Sequence, residues 1–139
     1  MTTQMINESV TERHLQARIG ARRRAEHVLQ RAVLLPKDER MILEEIFRHG
    51  SSMIEVAEAT GLPVRTLHRR VRAMLARMDS DLFLFVARHE KIIPPAARPT
   101  ARRVALHGQS LRSVARETGA SLHRVREHMR AVHTLANLL

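Results

Sequence analysis

The run SMIEVAEATGLPVRTLHRRVRAM, from Ser52 to Met74, comes back from Ser110 to Val132 as SLRSVARETGASLHRVREHMRAV. An offset of 58 residues lays Val56 and Ala57 on Val114 and Ala115, and Thr60 and Gly61 on Thr118 and Gly119. A chain of this kind must be able to build the same small unit twice. Each copy reads as a short helix, a tight glycine turn and a second helix rich in arginine. Units of that size bury only about 60% of the surface that their unfolded chains expose. Each copy is therefore expected to lean on its neighbour or on a second molecule.

Along the chain, residues 1 to about 7 are polar and expected to fray. A long helical pattern follows from Glu8 to Leu35, with a break expected at Gly20. Ile6, Val10, Ala17, Ala21, Val28, Ala32 and Leu35 recur at steps of three, four or seven residues and form a narrow apolar stripe. It suits either a helix that covers the first copy or a dimerisation arm, and a homodimer through this helix is kept as a partner expectation. Pro36 starts the next helix, whose acids Asp38 and Glu39 complement the dipole. Met41, Ile42, Ile46 and Phe47 form its apolar face before His49 and Gly50 close it. Ser51 or Ser52 caps the helix carrying Ile54, Val56, Ala57 and Ala59, with Glu55 placed for a capping box.

Gly61 occupies a position suited to a left-handed backbone, and Pro63 opens the basic helix. Asp79 or Ser80 then caps a helix from Asp81 to about Glu90 that brings in Leu82, Phe83, Phe85 and Val86 as core. On the 58-residue offset that helix falls on Arg23 to Ala32, and Pro94 falls on Pro36. The duplicated unit thus has four helices. The expected architecture is all-α: an N-terminal helical arm (residues 1–22) and two tandem helix-turn-helix domains (23–78 and 79–139). A short apolar tail, Leu138 and Leu139, is expected to pack back.

Charge narrows the partners. The chain has 24 Lys and Arg against 14 Asp and Glu, a net charge of +10, which calls for a polyanion. Three phenylalanines without tyrosine or tryptophan disfavour single-stranded nucleic acid, which stacks on aromatic faces, and leave duplex DNA. The same lack of bulky anchors disfavours a membrane surface. No apolar run approaches the roughly 18 residues of a membrane span and no leader pattern is present, so a cytoplasmic, nucleoid-associated protein is expected. With no cysteine, thiolate and zinc-finger chemistry are excluded. No HExxH pair or glycine-rich phosphate loop occurs, and the serines are explained as caps. Neither an enzyme nor a cofactor is expected.

The candidate site lies on the second helix of each pair. Val64, Leu67, Val71, Met74, Leu75 and Met78 recur by three and four and point inward. Arg65, Thr66, His68, Arg69, Arg70, Arg72 and Arg77 are then left outward, and Arg65, Arg69, Arg70 and Arg72 stand together without a nearby acid. In the second copy Leu122, Val125, Met129, Val132 and Leu135 face the core, while His123, Arg124, Arg126, Glu127, His128 and Arg130 are exposed. An apolar back with a basic front is what a helix needs to lie in the major groove. Residues early in each helix are assigned to base edges: Arg65, Thr66 and Arg69, then His123, Arg124 and Glu127. Arg72 and Arg130, together with Arg102 and Arg103, are assigned to phosphates. Ser52 and Ser110 place helix N-terminal amides near the duplex backbone.

The segment LPKDERMILEEIFRHGSSMIEVAEATGLPVRTLHRRVRAMLARM, from Leu35 to Met78, resembles region four of bacterial sigma factors and the related regulator domains. The likeness rests on a Pro-led helix with the acid–arginine pair Glu39 and Arg40, the IEVAEATGLP turn, and Thr66, Leu67, Arg70, Val71 and Arg72. The second copy is a degraded version. The resemblance implies a fold that reads duplex DNA and a transcriptional regulator. Promoter melting is not implied, since the aromatic-rich region it needs is missing. Two alternatives follow: a sigma-like module that docks on RNA polymerase, and a phage or mobile-element packaging or partition protein.

Overall fold

A computed structural model describes the backbone of residues 3–139 and the side chains from Val10 onward. Every regular element among the described residues is helical. Of residues 1–7, expected to fray, the first two lie outside the described residues, whereas from Thr3 onward the backbone is already helical; the side chain of Ile6 also lies outside the described residues.

Helix α1, Thr3–Ala32, runs without interruption through Gly20, contrary to the expected break. A single mid-helix glycine costs only about 1 kcal/mol relative to alanine, and its neighbours are strong helix formers. The apolar stripe is used unevenly. Ala32 and the following Leu35 are buried, and Val28 is half-buried, whereas Val10, Ala17 and Ala21 are exposed. The described residues of the front half of α1, from Val10 to Ile19, are all exposed.

Helix α2 (Lys37–Phe47) follows Pro36, and α3 (Met53–Thr60), α4 (Val64–Met78) and α5 (Asp81–His89) succeed it. After a 3-10 turn and the Pro94 and Pro95 connector, a single helical turn α6 (Arg98–Ala101) widens into a π-type turn over Arg102–Leu106. There His107 N–H donates back to the Arg102 carbonyl at 3.0 Å. Helices α7 (Leu111–Thr118) and α8 (Leu122–Leu138) complete the chain.

The duplication extends to backbone detail. Helices α3 and α7 start and stop on equivalent residues, and both end on a left-handed glycine, Gly61 and Gly119, each at φ 74°. In each copy the threonine before that glycine turns its hydroxyl back to a carbonyl, Thr60 to Val56 at 2.8 Å and Thr118 to Val114 at 2.7 Å. The preceding turn also repeats. Ser51 N–H donates to Glu45 O at 3.0 Å and Gln109 N–H to Arg103 O at 2.9 Å, around Gly50 at φ 68° and Gly108 at φ 69°. Ser52 and Ser110 both cap, accepting from Glu55 N–H and Ser113 N–H at 3.1 Å. The full capping box exists only in the first copy, because Glu55 is matched by Ser113.

One continuous apolar core runs through both copies, from Ala32, Leu43, Leu67 and Met74 through Phe83 and Val86 to Leu106, Met129 and Val132. Met41 and Ile54, expected inside, are 53% and 62% exposed. Both sit on α2 and α3 where no further element covers them. Leu138 and Leu139 are 76% and 74% exposed, so the tail does not pack back.

A polar clamp crosses the join between the copies. Arg77, expected on the outward face, turns inward instead. It donates to both carboxylate oxygens of Glu39, each at 2.9 Å, and to the Leu106 carbonyl at 2.9 Å. Its side chain is only 17% exposed and that of Glu39 12%. The offset explains why periodicity misplaced it, since Arg77 is matched by Leu135, a core position, and Glu39 by Ala97.

His107 follows the carbonyl that Arg77 holds. Burial pushes its imidazole below the ordinary 6.5, and Arg103 acts in the same direction, against the opposing pull of Glu39. With a folded-state pKa below the unfolded one, the unfolded chain binds the proton first. The stabilisation is thus complete above 6.5 and lost as pH falls through the folded value. Urea unfolding above and below pH 6.5 should show a smaller loss on acidification for His107→Asn than for the native chain. Identical pH slopes would refute this.

Candidate nucleic-acid interface

Helix α4 owes its two-sidedness to apolar residues spaced by three and four. Leu67 and Met74 are fully buried, and Val71 and Met78 nearly so. The opposite face presents Arg65, His68, Arg69 and Arg72, all exposed, with Thr66 half-buried beside them. Residues i, i+3, i+4 and i+7 share one side of a helix, so these four project together over about 10 Å of its length. Among the described residues, Arg65, Arg69 and Arg72 have no carboxylate within ion-pair distance. Arg70 does: it reaches Asp38 of α2 at 3.6 Å, which corrects the expectation of a cluster without a nearby acid.

Helix α8 repeats the register but not the chemistry. Ser121 caps it, accepting from Arg124 N–H at 3.1 Å, where α4 has Pro63 and no side-chain cap. His123, Arg124, Arg126, Glu127 and Arg130 are exposed. His123 and Glu127 lie 3.2 Å apart, so two residues assigned to base edges engage each other. His128, expected outward, is half-buried, with Nδ1 3.3 Å from the hydroxyl of buried Thr100.

The residues assigned to phosphates divide. Arg72 and Arg130 are exposed on their helices. Arg102 is bound by Glu90, whose hydrogen bond and charge raise the guanidinium pKa further. Arg103 is bound by Glu117 of α7. These carboxylates could be found only in three dimensions, being 12 and 14 residues distant in sequence. Arg65, Arg69 and Arg72 on α4 and Arg124, Arg126 and Arg130 on α8 are therefore the arginines of these two helices left without an ion-pair partner among the described residues. Ser52 and Ser110 stand exposed at the N-termini of α3 and α7, as expected for caps.

Two features escaped the sequence reading. One is the Arg77 clamp, which ties α4 to the turn leading into the second pair. The other is a groove of about 700 Å³ between α2 and α3, floored by Met41, Ile42, Val56 and Leu62 and edged by Asp38, Glu45 and Glu55. The only sequence signal for the groove is the apolar excess of α2 and α3 beyond what one core face needs.

No helix among the described residues is long and apolar enough to cross a membrane. Comparisons with protein-family models, curated proteins and solved structures found no match.

Proposed function

We propose that this protein is a sequence-specific binder of double-stranded DNA, a transcriptional regulator in which α3–α4 and α7–α8 act as tandem helix-turn-helix units on adjacent major-groove subsites. The observation that carries this reading is the face of Arg65, His68, Arg69 and Arg72 on α4, exposed opposite a fully apolar back. A helix of this width fits a groove about 12 Å across, where an arginine can donate twice to guanine O6 and N7. The left-handed Gly61 turn sets α3 against α4, while the N-terminal amides of α3 at Ser52 and Glu55 are closed by the capping box.

The second unit contributes differently. Pairing of His123 with Glu127, and of Arg103 with Glu117, leaves Arg124, Arg126 and Arg130 as the cationic contacts of α8. Each recognition helix thus offers three unpaired arginines, but not all at equivalent positions and beside different neighbours, so the site is asymmetric within one protomer. Because the Arg77 clamp joins the units, the spacing of the two subsites is fixed, about one helical turn.

The test begins with selection of bound fragments from a random duplex pool. On the selected site, Arg69→Ala should lose roughly 1 to 3 kcal/mol of discrimination against changed base pairs. Arg72→Ala should weaken selected and random duplexes alike and reduce the salt slope by about one. Arg102→Ala should change the slope less than Arg72→Ala, because Glu90 already neutralises it. Equal losses for Arg69→Ala on selected and random duplex would defeat the base-contact assignment. Failure to select any fragment would defeat the function.

A further inference from the structure

The stretch of α1 from Val10 to Ile19 and the groove between α2 and α3 are each left uncovered among the described residues, and their chemistries are complementary. Leu15, Arg18, Ile19 and Arg22 fall at i, i+3, i+4 and i+7 of one continuous helix and so share a face. All four are exposed, Leu15 at 57% and Ile19 at 45%. Neither Arg18 nor Arg22 has a carboxylate within ion-pair distance among the described residues. The groove has the opposite character. Met41 and Ile42 of α2 and Val56 and Leu62 of the next pair make an apolar floor, and Asp38, Glu45 and Glu55 stand at its edge. Its one cation, Arg70, is already held by Asp38.

We infer that the front half of α1 from one molecule docks into the α2–α3 groove of a second copy, and the reverse, giving a two-fold symmetric dimer. Leu15 and Ile19 enter the apolar floor while Arg18 and Arg22 meet the acidic edge. The same molecule cannot fill its own groove in this conformation. Helix α1 is unbroken at Gly20 and its far end is anchored by Ala32 and Leu35 in the core, so the front half is carried away from the body. A reciprocal exchange of identical elements is a closed arrangement, with each contact made twice. It covers Met41, whose 53% exposure nothing else in the fold explains. This pairing stands independently of DNA binding.

The experiment is sedimentation equilibrium on the full chain without nucleic acid. The native protein should be dimeric, and Leu15→Glu with Ile19→Glu should be monomeric with an unchanged helical circular dichroism spectrum, since both side chains are exposed in the protomer. Two charge-reversed chains give the decisive arm. One carries Arg18→Glu and Arg22→Glu, the other Asp38→Arg and Glu45→Arg. Each alone sets like charges against each other and should be monomeric, while an equimolar mixture should form a heterodimer with both contacts restored. Added salt should weaken the native dimer, although simple repulsion between two molecules of charge +10 would be relieved by it. A native monomer, a dimer that survives Leu15→Glu with Ile19→Glu, or a mixture that stays monomeric overturns the inference. A monomer whose arm folds back onto its own groove does so as well.

Discussion

Alanine at Gly108 is expected to destabilise the protein far more than alanine at Gly50, its counterpart in the first copy. Both glycines close a helix in the left-handed region, at φ 68° and 69°, so both substitutions incur the same backbone penalty of roughly 1 to 2 kcal/mol. The surroundings differ. A Cβ at Gly50 meets nothing within 4 Å, whereas one at Gly108 would lie 2.5 Å from Cζ of Arg77. An arginine tip in solvent would swing aside at little cost. This one is held by two bonds to Glu39 and one to the Leu106 carbonyl, and moving it leaves a largely buried carboxylate without its partner. Breaking a buried ion pair from one side typically costs about 3 to 5 kcal/mol; at 17% and 12% side-chain exposure the lower end of that range applies. Gly108→Ala should therefore exceed Gly50→Ala by about 2 to 3 kcal/mol in urea unfolding. In an Arg77→Ala background the two substitutions should cost the same. If the difference persists there, the clamp is not its cause.

Phe83→Ala should be comparably severe. Phe83 is fully buried, the one phenylalanine of the three with no exposure at all, and it lies on α5, the helix that packs against α4, the π-type turn and α8. Removing a buried phenyl ring costs about 3 to 5 kcal/mol through lost transfer energy and the cavity left behind. That is a large part of the 5 to 15 kcal/mol that holds an ordinary domain together. Its counterpart on the 58-residue offset is Ala25, half-buried on α1, so no equivalent ring in the first copy can compensate. Phe47→Ala, at a half-buried position of α2, should cost distinctly less. Thermal unfolding monitored by circular dichroism would rank the two, and the reverse ranking would show that α5 does not carry the joint core.

The legible parts of the fold were those governed by contacts close in sequence. The caps at Ser52, Ser80, Ser110 and Ser121, and the left-handed turns at Gly61 and Gly119, depend on groups within a few residues of one another. The inward faces of α4 and α8 were equally readable, because a helical period states which residues share a side, with the exception of Val64, expected inside but 38% exposed at the first position of α4. Gly20 misled because a weak local preference was set against a long run of helix formers. Met41 and Ile54 misled because amphipathicity says which side is apolar, not whether anything arrives to cover it.

The candidate interface divides along the same line. That Arg65, His68, Arg69 and Arg72 share a face opposite Leu67, Val71 and Met74 follows from spacing alone. Which arginines remain free does not. Arg70 is engaged by Asp38, Arg77 by Glu39, Arg102 by Glu90 and Arg103 by Glu117, and each of these acids sits on another element or turn. An arginine reads the same in sequence whether it points to solvent or closes a clamp, since its long stem can bury while its head finds an acid.

By itself, then, the sequence determined the all-α class, the register of the duplication and the two-sided helices, because each follows from residue spacing and short-range hydrogen bonds. Tertiary structure alone decided that both copies share one core, that Arg77 joins them through Glu39 and Leu106, that Arg70, Arg102 and Arg103 are engaged by acids, and that the front of α1 and the α2–α3 groove stand open. Those outcomes depend on which side chains meet across distances that no local period encodes.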